Sequence, residues 1–312
     1  MAKIKVISVN ISEKKGVIKH PVDFIELNPL GVKGDAHSGT WHRQVSMLGT
    51  ESIDRFTTAS NLKVNFGEFA ENITTQGLEL VTTKPGDKFL GNGIELEVTQ
   101  IGKSCHGDNC AIYRQVGNCV MPKEGIFVRV LKGGKLKAGD EFEFIPKIYR
   151  IKVITLSDRA SRGEYEDLSG PEVSKLVSEF FNGLNWQFSV DNFVIADDAD
   201  LLKQHLTSAK KAHYDIVITT GGTGIGPRDI TPDVVKQMLD KEIPGIMEMI
   251  RIKYGAEKPN ALLSRGVAGI MGQSFVYTLP GSVKAVREYM SEIVKTQKHL
   301  FLMQMNIDTH AF

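Results

Sequence analysis

The stretch TTGGTGIGPRDITPD, residues 219–233, decides how the second half of the chain is interpreted. It follows the apolar run YDIVITT (214–220) and precedes PDVVKQMLD (232–240), which predicts a helix. A buried strand, a glycine-rich loop and a helix in that order are typical of a parallel α/β sheet. In such sheets ligands bind beyond the carboxyl ends of the strands, so this loop is the first candidate for a functional site.

Strand and helix patterns alternate on both sides of this loop. Apolar runs predict three further strands, YRIKVITLS (149–157), QFSVDNFVIADD (187–198) and SFVYTLP (274–280). Between them, GPEVSKLVSEFF (170–181) and ADLLKQHLTSAKKAH (199–213) have the apolar spacing of helices. The second half is therefore predicted to be a three-layer α/β domain with a mainly parallel sheet.

The first half of the chain has a different pattern. Short runs of β-branched and aromatic residues alternate with turn signals such as KGD (33–35), and only LGTESIDRFTTAS (48–60) predicts a helix. Many short strands at regular spacing favour a β-barrel. The pattern changes at 146–150, which predicts a β-barrel-like N-terminal domain over 1–147 and a C-terminal α/β domain over 148–312.

The composition excludes some classes of function. The 312 residues are 41% hydrophobic and 24% charged with a formal net charge of +1, so no overall attraction to nucleic acid or to an anionic membrane is expected. No run approaches the roughly 18 apolar residues of a membrane span. The start, MAKIKVISVNIS, alternates like a strand and lacks the apolar core of a signal peptide. We expect a cytoplasmic protein that binds neither nucleic acid nor membrane.

The glycine-rich loop matches neither of the common phosphate-binding motifs. No Gly-Lys-Ser/Thr follows it, as a Walker A loop requires. Gly222, Gly224 and Gly226 are spaced too tightly for the dinucleotide-binding fingerprint. Glycine-rich backbone can still offer N–H groups to phosphate, so a phosphate site of another kind remains open.

Two aspartates accompany this loop. Thr231 is predicted to cap the next helix and Pro232 to be its first residue, so Asp233 is explained by the helix dipole. Asp229 lies before the cap and has no such explanation. A bound Mg²⁺ would let its carboxylate and a phosphate share one cation, which implies nucleotide chemistry. The alternative is a tight strand-to-helix turn with a solvated aspartate.

Polar residues also follow the first two strands of this half. Ser157 and Asp158 come after the first strand, and Asp197 and Asp198 after the second. For Asp198 a helix cap is an alternative role. Because the carboxyl ends of parallel strands meet at one edge, we expect Asp158, Asp197 and Asp229 to lie near one another. The sequence therefore predicts a metal and nucleotide site at this edge.

Residues 150–305 resemble the molybdopterin-binding and adenylyltransferase family of molybdenum cofactor biosynthesis. The matching segments, in the family's order, are SDRASRGEYEDLSGP, IADD, TTGGTGIGPRDITPD, IPGIMEMIR, ALLSRGVAGI and LPGSVKAV. The resemblance implies an enzyme that transfers AMP from Mg-ATP to the terminal phosphate of molybdopterin, releases pyrophosphate and forms a homotrimer. It implies that Asp197 and Asp229 are the catalytic aspartates and the Mg²⁺ ligands. The residues in its substrate-binding segments are Ser157, Asp158, Thr220, Gly221, Gly222, Thr223, Gly224, Arg228, Pro280, Gly281 and Ser282.

The three cysteines, Cys105, Cys110 and Cys119, lie within fifteen residues of one another. An odd number of cysteines in a reducing compartment argues against a disulfide framework. With His106 they could form a zinc site, but the C-x₄-C-x₈-C spacing matches no common zinc module. Buried, inert thiols are the alternative, which we favour for Cys110 and Cys119. Cys105 is the candidate reactive thiol, because Lys103 and His106 would stabilise its thiolate.

Residues 1–147 resemble the MOSC domain, named for the C-terminal domain of molybdenum cofactor sulfurase. The matching segments are GVKGDAHSG, RQVSMLG, GEFAENITT, GDKFLG, EVTQIGK, MPKEGIFVRVL and GGKLKAGDEF. The resemblance implies a β-barrel-like fold with a key cysteine, matched by Cys105, for sulfur transfer or for binding the metal of the molybdenum cofactor. His37, His42 and Arg43 are candidates for binding an anionic pterin, and ordinary polar loop residues are the alternative.

Two functions from different classes are compatible with these observations. The first is a two-domain biosynthetic enzyme whose C-terminal domain adenylylates molybdopterin while the N-terminal domain handles cofactor or sulfur. The second is a carrier that binds molybdopterin or the finished cofactor without chemistry. A molybdate-inserting protein has less support, because such proteins carry a longer architecture around this fold. Other proteins of molybdenum cofactor biosynthesis are expected partners in each case.

We predict that an alkylating agent modifies Cys105 faster than Cys110 or Cys119 near neutral pH. The neighbouring Lys103 and His106 should lower the pKa of the Cys105 thiol and expose more thiolate. Peptide mapping after brief alkylation measures the three rates. Equal labelling, or faster labelling of another cysteine, would contradict a special role for Cys105, and protection that a chelator relieves would indicate zinc.

Overall fold

The computed structural model of the chain describes residues 2–104 and 119–307. The predicted reactive cysteine, Cys105, and the predicted zinc-site residues His106 and Cys110 lie outside the described residues. Their expected roles therefore stay predictions.

The described chain forms two compact units. The first contains the chain up to Lys147 together with the chain from Leu302 onward, and the second is Ile148–Phe301. Compact units do not by themselves show that 1–147 and 148–312 fold independently, so the two predicted domains stay a prediction.

Short strands build the first unit. Its strands are β1 (Lys3–Ile11), β2 (His20–Pro21), β3 (Ile25–Asn28), β4 (Gly31–Val32), β5 (Val45–Gly49), β6 (Ile73–Gln76), β7 (Lys88–Gly91), β8 (Ile94–Ile101), β9 (Ile126–Lys132), β10 (Gly134–Leu136) and β11 (Glu141–Ile145). Its helices are α1 (Thr50–Ser60), α2 (Met121–Glu124) and a 3₁₀ turn (Leu80–Thr82). Buried and more exposed residues alternate at the start of β1 and β8, as expected for strands with one face on a core.

Seven of the described strands close into a barrel. Their order is β11-β7-β8-β9-β5-β6-β1, and antiparallel pairing of β1 with β11 completes the circle. Only β5 and β6 run parallel among these neighbours. Val6, Val45, Phe89, Val98 and Phe142 are among the buried residues that fill it. This confirms the β-barrel-like fold predicted for the first half.

The second unit alternates strands with helices. Its strands are β12 (Ile148–Leu156), β13 (Gln187–Ile195), β14 (Ile216–Thr220), β15 (Lys241–Glu242), β16 (Ala268–Met271) and β17 (Ser274–Leu279). Its helices are α3 (Asp158–Ser161), α4 (Ser169–Gly183), α5 (Ala199–Lys211), α6 (Thr231–Met238), α7 (Pro244–Gly255), a 3₁₀ helix (Pro259–Leu263) and α8 (Val283–Gln304). Within the described ranges, no helix combines the length and the apolar character that crossing a membrane requires.

These strands form one sheet in the order β13-β12-β14-β17-β16-β15. The first four strands are parallel, whereas β16 is antiparallel to β17 and β15 is antiparallel to β16. The prediction of a mainly parallel sheet thus holds for four strands. It missed the antiparallel edge, because β15 and β16 are short and their sequences carry no strand-length apolar pattern.

Helices cover both faces of this sheet. On β12, Ile151 and Val153 pack in a core with α4, α7 and α8, while Ile154 and Leu156 pack in a second core with α5 and α6. A strand buried on both faces reads as a continuous apolar run, which is why YRIKVITLS was recognisable in the sequence. The predicted three-layer arrangement is therefore present.

Candidate functional site

The carboxyl ends of the four parallel strands meet at one edge of the sheet. Every residue predicted for the site of the second half lies on or directly after one of these ends. Ser157 and Asp158 follow β12, Asp197 follows β13, the loop 221–230 follows β14, and 280–282 follow β17. The strand order therefore brings these segments to a common edge.

Asp158 and Asp197 form hydrogen bonds that connect the ends of the neighbouring strands β12 and β13. The backbone N–H of Asp197 donates to Asp158 Oδ1 at 3.1 Å, and the backbone N–H of Asp158 donates to Asp197 Oδ2 at 3.3 Å. Burial raises the pKa of Asp197, the Asp158 N–H opposes that shift, and the negative charges of Asp158 and Asp229 add to it. Asp197 thus lies in a negative environment that a cation would relieve.

Arg228 supplies a positive charge at this edge. Its Nη1 lies 3.1 Å from Asp158 Oδ2, and its side chain is 78% exposed. An ion pair this exposed contributes little to stability, so an incoming anion can compete with Asp158 for the guanidinium. The structure thereby places the one predicted basic residue of the loop beside the predicted aspartates.

Close backbone contacts fix the start of the glycine loop. Gly221 has a φ of +102°, and a Cβ there would lie 2.3 Å from the carbonyl oxygen of Leu156. Gly222 has a φ of +63°, and its Cβ would lie 2.5 Å from Thr231 Oγ1. A side chain at either position would clash and strain the backbone. The glycines therefore let the loop pass directly over the end of β12.

The carboxylate of Asp229 folds back over this loop. Its Oδ2 accepts a hydrogen bond of 2.8 Å from the backbone N–H of Gly226. A Cβ on Gly224 would lie 2.7 Å from the same oxygen, so glycine is needed there to admit the carboxylate. The carboxylate of Asp229 therefore lies against the loop that is predicted to bind phosphate.

The predicted helix cap at Thr231 is wrong. The helix α6 begins at Thr231 itself, the preceding residue is Ile230, and no side chain caps the helix. The Thr231 hydroxyl instead donates to the carbonyl of Gly221 at 2.9 Å, which closes the loop on itself. Asp233 lies in the first turn as predicted, and it also accepts hydrogen bonds of 2.9 and 3.0 Å from Arg265.

The remaining predicted residues have structural partners. Asp198 caps α5 by accepting the N–H of Leu201 at 2.8 Å, which confirms its alternative role. The other hydrogen bonds run from Ala160 N–H to Ser157 Oγ (3.2 Å), from Ala285 N–H to Ser282 Oγ (3.3 Å), from Thr220 Oγ1 to the carbonyl of Pro280 (3.0 Å) and from Arg265 N–H to the carbonyl of Thr223 (2.9 Å). Gly281 lies against Gly221, since a Cβ on Gly281 would be 3.4 Å from the Gly221 Cα.

The acidic residues at this edge fit a Mg²⁺ ion that is shared with phosphate. In the part of the chain that the structure describes, no group of three or more His, Cys, Asp or Glu side chains is arranged to hold a metal ion by itself. Mg²⁺ does not need such a cage, because it commonly takes one or two carboxylates and completes its shell with phosphate oxygens and water. Asp197 and Asp229 are two carboxylates of that kind.

The barrel contains a second polar cluster, which the sequence analysis did not predict. Lys19 and Asp35 form an ion pair whose side chains are 1% and 0% exposed. Asn72 Nδ2 donates to Asp35 Oδ2 at 3.0 Å, and His37 Nδ1 lies 3.4 Å from Lys19 Nζ. Burial lowers the pKa of Lys19, and the charge of Lys103 lowers it further. Lys19 therefore lies close enough to Lys103 for the two positive charges to interact, and Lys103 is two residues before Cys105.

The predicted pterin-binding residues of the barrel differ in their surroundings. His37 borders the buried cluster, and its side chain is 30% exposed. His42 is 7% exposed, and its Nε2 lies 3.1 Å from Gln100 Oε1. The Arg43 guanidinium lies 4.8 Å from the centre of the Trp41 ring. Pterin binding by these three residues stays a prediction.

Glu71 is a buried acidic residue just before β6. It is fully buried, and its Oε1 accepts hydrogen bonds from Gly67 N–H at 2.6 Å and from Thr74 Oγ1 at 3.0 Å. Its Oε2 is buried without a hydrogen-bond partner. Burial raises the pKa of Glu71 to about 7, although these hydrogen bonds oppose the shift.

The described residues thus form a closed β-barrel with a buried polar cluster around Lys19 and Asp35, and an α/β domain with acidic residues beside a glycine-rich loop. Family models match both halves of the chain. Residues 152–299 match the family described as "Probable molybdopterin binding domain", and residues 34–143 match the MOSC domain. Both resemblances drawn from the sequence are confirmed.

Curated relatives agree with the match over residues 152–299. The molybdopterin adenylyltransferase of Helicobacter pylori is 39% identical over 145 residues, which cover 46% of this chain and 80% of the relative. That of Pyrococcus furiosus is 38% identical over 157 residues, which cover 49% of this chain and 88% of the relative. The chain belongs to the molybdopterin-binding domain family and carries a MOSC domain ahead of that domain.

Among solved structures, a molybdopterin biosynthesis protein from Mycobacterium abscessus is similar to the second half. It is 35% identical, with a TM-score of 0.45. The match covers 50% of this chain and 96% of the other.

We predict that Glu71→Gln stabilises the barrel increasingly as the pH rises. The folded state keeps Glu71 protonated up to about pH 7, whereas the unfolded chain loses this proton near its ordinary pKa. As the pH rises between these two pKa values, the unfolding free energy of the wild type therefore falls. That of Glu71→Gln does not change for this reason, because glutamine does not titrate. Denaturant unfolding at pH 5 and pH 8 should show the gap between variant and wild type growing by about 2–3 kcal/mol in favour of the variant.

Glu13→Gln is the matched control, because Glu13 is exposed on the same unit. Its unfolding free energy should follow that of the wild type at both pH values. If the Glu71→Gln curve also ran parallel to the wild type, the raised pKa of Glu71 would be refuted.

Proposed function

We propose that this protein acts in molybdenum cofactor biosynthesis and that its second half adenylylates molybdopterin. In this reaction an oxygen of the terminal phosphate of molybdopterin attacks the α-phosphorus of ATP, a new P–O bond forms, and the bond to pyrophosphate breaks. The observation that carries the proposal is the position of Asp197 and Asp229 at two parallel strand ends around the glycine loop. The relatives named molybdopterin adenylyltransferase, which match this half, support it.

The residues present suit the binding of a nucleotide triphosphate with its metal. Asp197 and Asp229 would hold Mg²⁺, which when bound offsets negative charge on the phosphates and on the departing pyrophosphate. The backbone N–H groups of the loop from Gly221 to Gly224 would contact phosphate oxygens. Because both carboxylates belong to tightly fastened segments, they would require little rearrangement when the substrate arrives.

Arg228 would bind phosphate after leaving Asp158. Its guanidinium is paired with Asp158 and largely exposed. A phosphate group carries more charge than a carboxylate and accepts the same forked hydrogen bonds. If Arg228 moved from Asp158 to the substrate, the Asp158 carboxylate would lose its cationic partner. Its negative charge would then act together with that of Asp197.

The role proposed for the first half is to bind the molybdenum cofactor or to handle its sulfur. This proposal rests on the MOSC match and on the position of Lys103 two residues before Cys105. The charge of Lys103 would favour a thiolate and an anionic ligand in this region. A homotrimer and association with other proteins of the same biosynthesis are proposed from the family resemblance.

The competing function is a carrier that binds molybdopterin without chemistry. The hydrogen bonds between Asp158 and Asp197 would serve such a carrier equally well. Adenylyl transfer would need the negative charges of Asp197 and Asp229, whereas binding of molybdopterin by a carrier would not. Substitution of these two carboxylates therefore distinguishes the two functions.

We predict that Asp229→Asn and Asp197→Asn each lower the rate of adenylyl transfer by roughly 10²–10³, equivalent to about 3–4 kcal/mol of barrier. Asparagine is nearly the same size and can still accept the hydrogen bonds from Gly226 N–H and Asp158 N–H. The negative charge that would hold Mg²⁺ is lost. Pyrophosphate release measures the rate, and titration with molybdopterin should give a nearly unchanged dissociation constant.

Asp198→Asn is the matched control. Asp198 lies next to Asp197, but its carboxylate caps α5, and asparagine caps helices as well as aspartate does. This variant should release pyrophosphate at nearly the wild-type rate. Normal rates for the other two variants would remove the metal site and favour the carrier.

A further inference from the structure

Arg265 contacts the glycine loop at several points. Its Nε donates to the carbonyl of Gly224 at 2.7 Å, and its Nη2 donates to the carbonyl of Asp229. Its Nη1 donates to both carboxylate oxygens of Asp233 at 2.9 and 3.0 Å, and its backbone N–H donates to the carbonyl of Thr223 at 2.9 Å. One side chain therefore connects the beginning of the loop, its end and the helix that follows.

From these contacts we infer that Arg265 is a positioning residue, which holds the loop in the shape that binds nucleotide phosphate and places Asp229. The inference deepens the proposed adenylyl transfer and rests on it. Arg265 is not proposed to contact the metal or the phosphates. It acts through the backbone of Gly224 and Asp229, which are proposed to do so.

The planarity of the peptide bond explains how this works. In a trans peptide the C=O of one residue and the N–H of the next point in opposite directions. The hydrogen bond from Arg265 to the Gly224 carbonyl therefore fixes the plane of the Gly224–Ile225 peptide, which directly follows the amides proposed to contact phosphate. At Asp229 the guanidinium holds the backbone carbonyl while the carboxylate is held by Gly226 N–H, so the residue is fixed from both sides.

Arg265 is itself held on well-packed elements. Val267 N–H donates to Thr278 Oγ1 on β17 at 2.7 Å, and Arg251 Nη1 on α7 donates to the carbonyl of Gly266 at 3.1 Å. A Cβ on Gly266 would lie 2.8 Å from the carbonyl of Thr278, so the chain passes close against this strand. The guanidinium thus projects from a fixed base toward a loop whose tip, Ile225, is 76% exposed.

Lysine cannot reproduce these contacts. Arginine carries five N–H donors in a rigid plane, whereas lysine is a compact point charge on a flexible stem. Arg265→Lys therefore keeps the positive charge and removes the multipoint contact. It separates the geometric role of Arg265 from its charge.

The experiment compares Arg265→Lys with the wild type and with Arg287→Lys. Arg287 is the matched control, because it is an exposed arginine of the same unit that pairs with Glu172. We expect Arg265→Lys to lower kcat for pyrophosphate release roughly 10²-fold, the scale of a small misplacement of reacting groups, with little change in molybdopterin binding. Arg287→Lys should retain the wild-type kcat.

Hydrogen exchange of the ligand-free proteins provides a second readout that does not depend on turnover. Amides of 221–230 should exchange about tenfold faster in Arg265→Lys, whereas those of β14 and α6 should be unchanged, because only the loop is released. A lower kcat together with this local change supports the inference. A normal kcat, unchanged loop exchange, or faster exchange throughout the unit overturns it.

Failure of the inference can be distinguished from failure of the proposed function. A wild-type protein that binds molybdopterin and ATP but releases no pyrophosphate overturns the proposed transfer. It also overturns the catalytic part of the inference. Unchanged loop exchange in Arg265→Lys beside an active wild type overturns the inference alone. A variant that fails to fold also overturns it, because Arg265 would then be a general structural residue.

Discussion

The contact between the Gly221 backbone and the carbonyl of Leu156 is the constraint on which the candidate site depends. Because a side chain at Gly221 would lie 2.3 Å from that carbonyl, only glycine lets β14 leave the sheet directly over the end of β12. The loop can then close through Thr231, whose hydroxyl holds the Gly221 carbonyl. This path carries Asp229 back toward the strand ends where Asp158 and Asp197 hold each other.

The resulting edge has an unbalanced charge. The negative charges of Asp158 and Asp229 contribute to the raised pKa of Asp197, and the positive charge of Arg228 opposes them. Carboxylates close to one another favour a cation, and loop amides favour an anion. The proposed metal-bound triphosphate would meet both preferences.

The sequence predicted the parts of this site that depend on local pattern. Apolar runs marked the parallel strands, and parallel order alone brings Asp158, Asp197 and Asp229 to one edge. The contribution of Arg265 was missed, because it lies 32 residues beyond Asp233 and acts only after β16 and β17 have folded beside the loop. The buried Lys19 was missed for the same reason, since its ion-pair partner Asp35 lies 16 residues further along the chain, in the loop after β4. Such long-range pairings leave no trace in periodicity.

Adenylyl transfer is measured by the mass of molybdopterin after incubation with the full chain, Mg²⁺ and ATP. We expect molybdopterin to gain one adenylyl group, one pyrophosphate to appear for each product, and omission of Mg²⁺ or ATP to prevent both. Recovery of bound but unmodified molybdopterin, with ATP intact, would rule out adenylyl transfer and identify the acidic edge as part of a carrier.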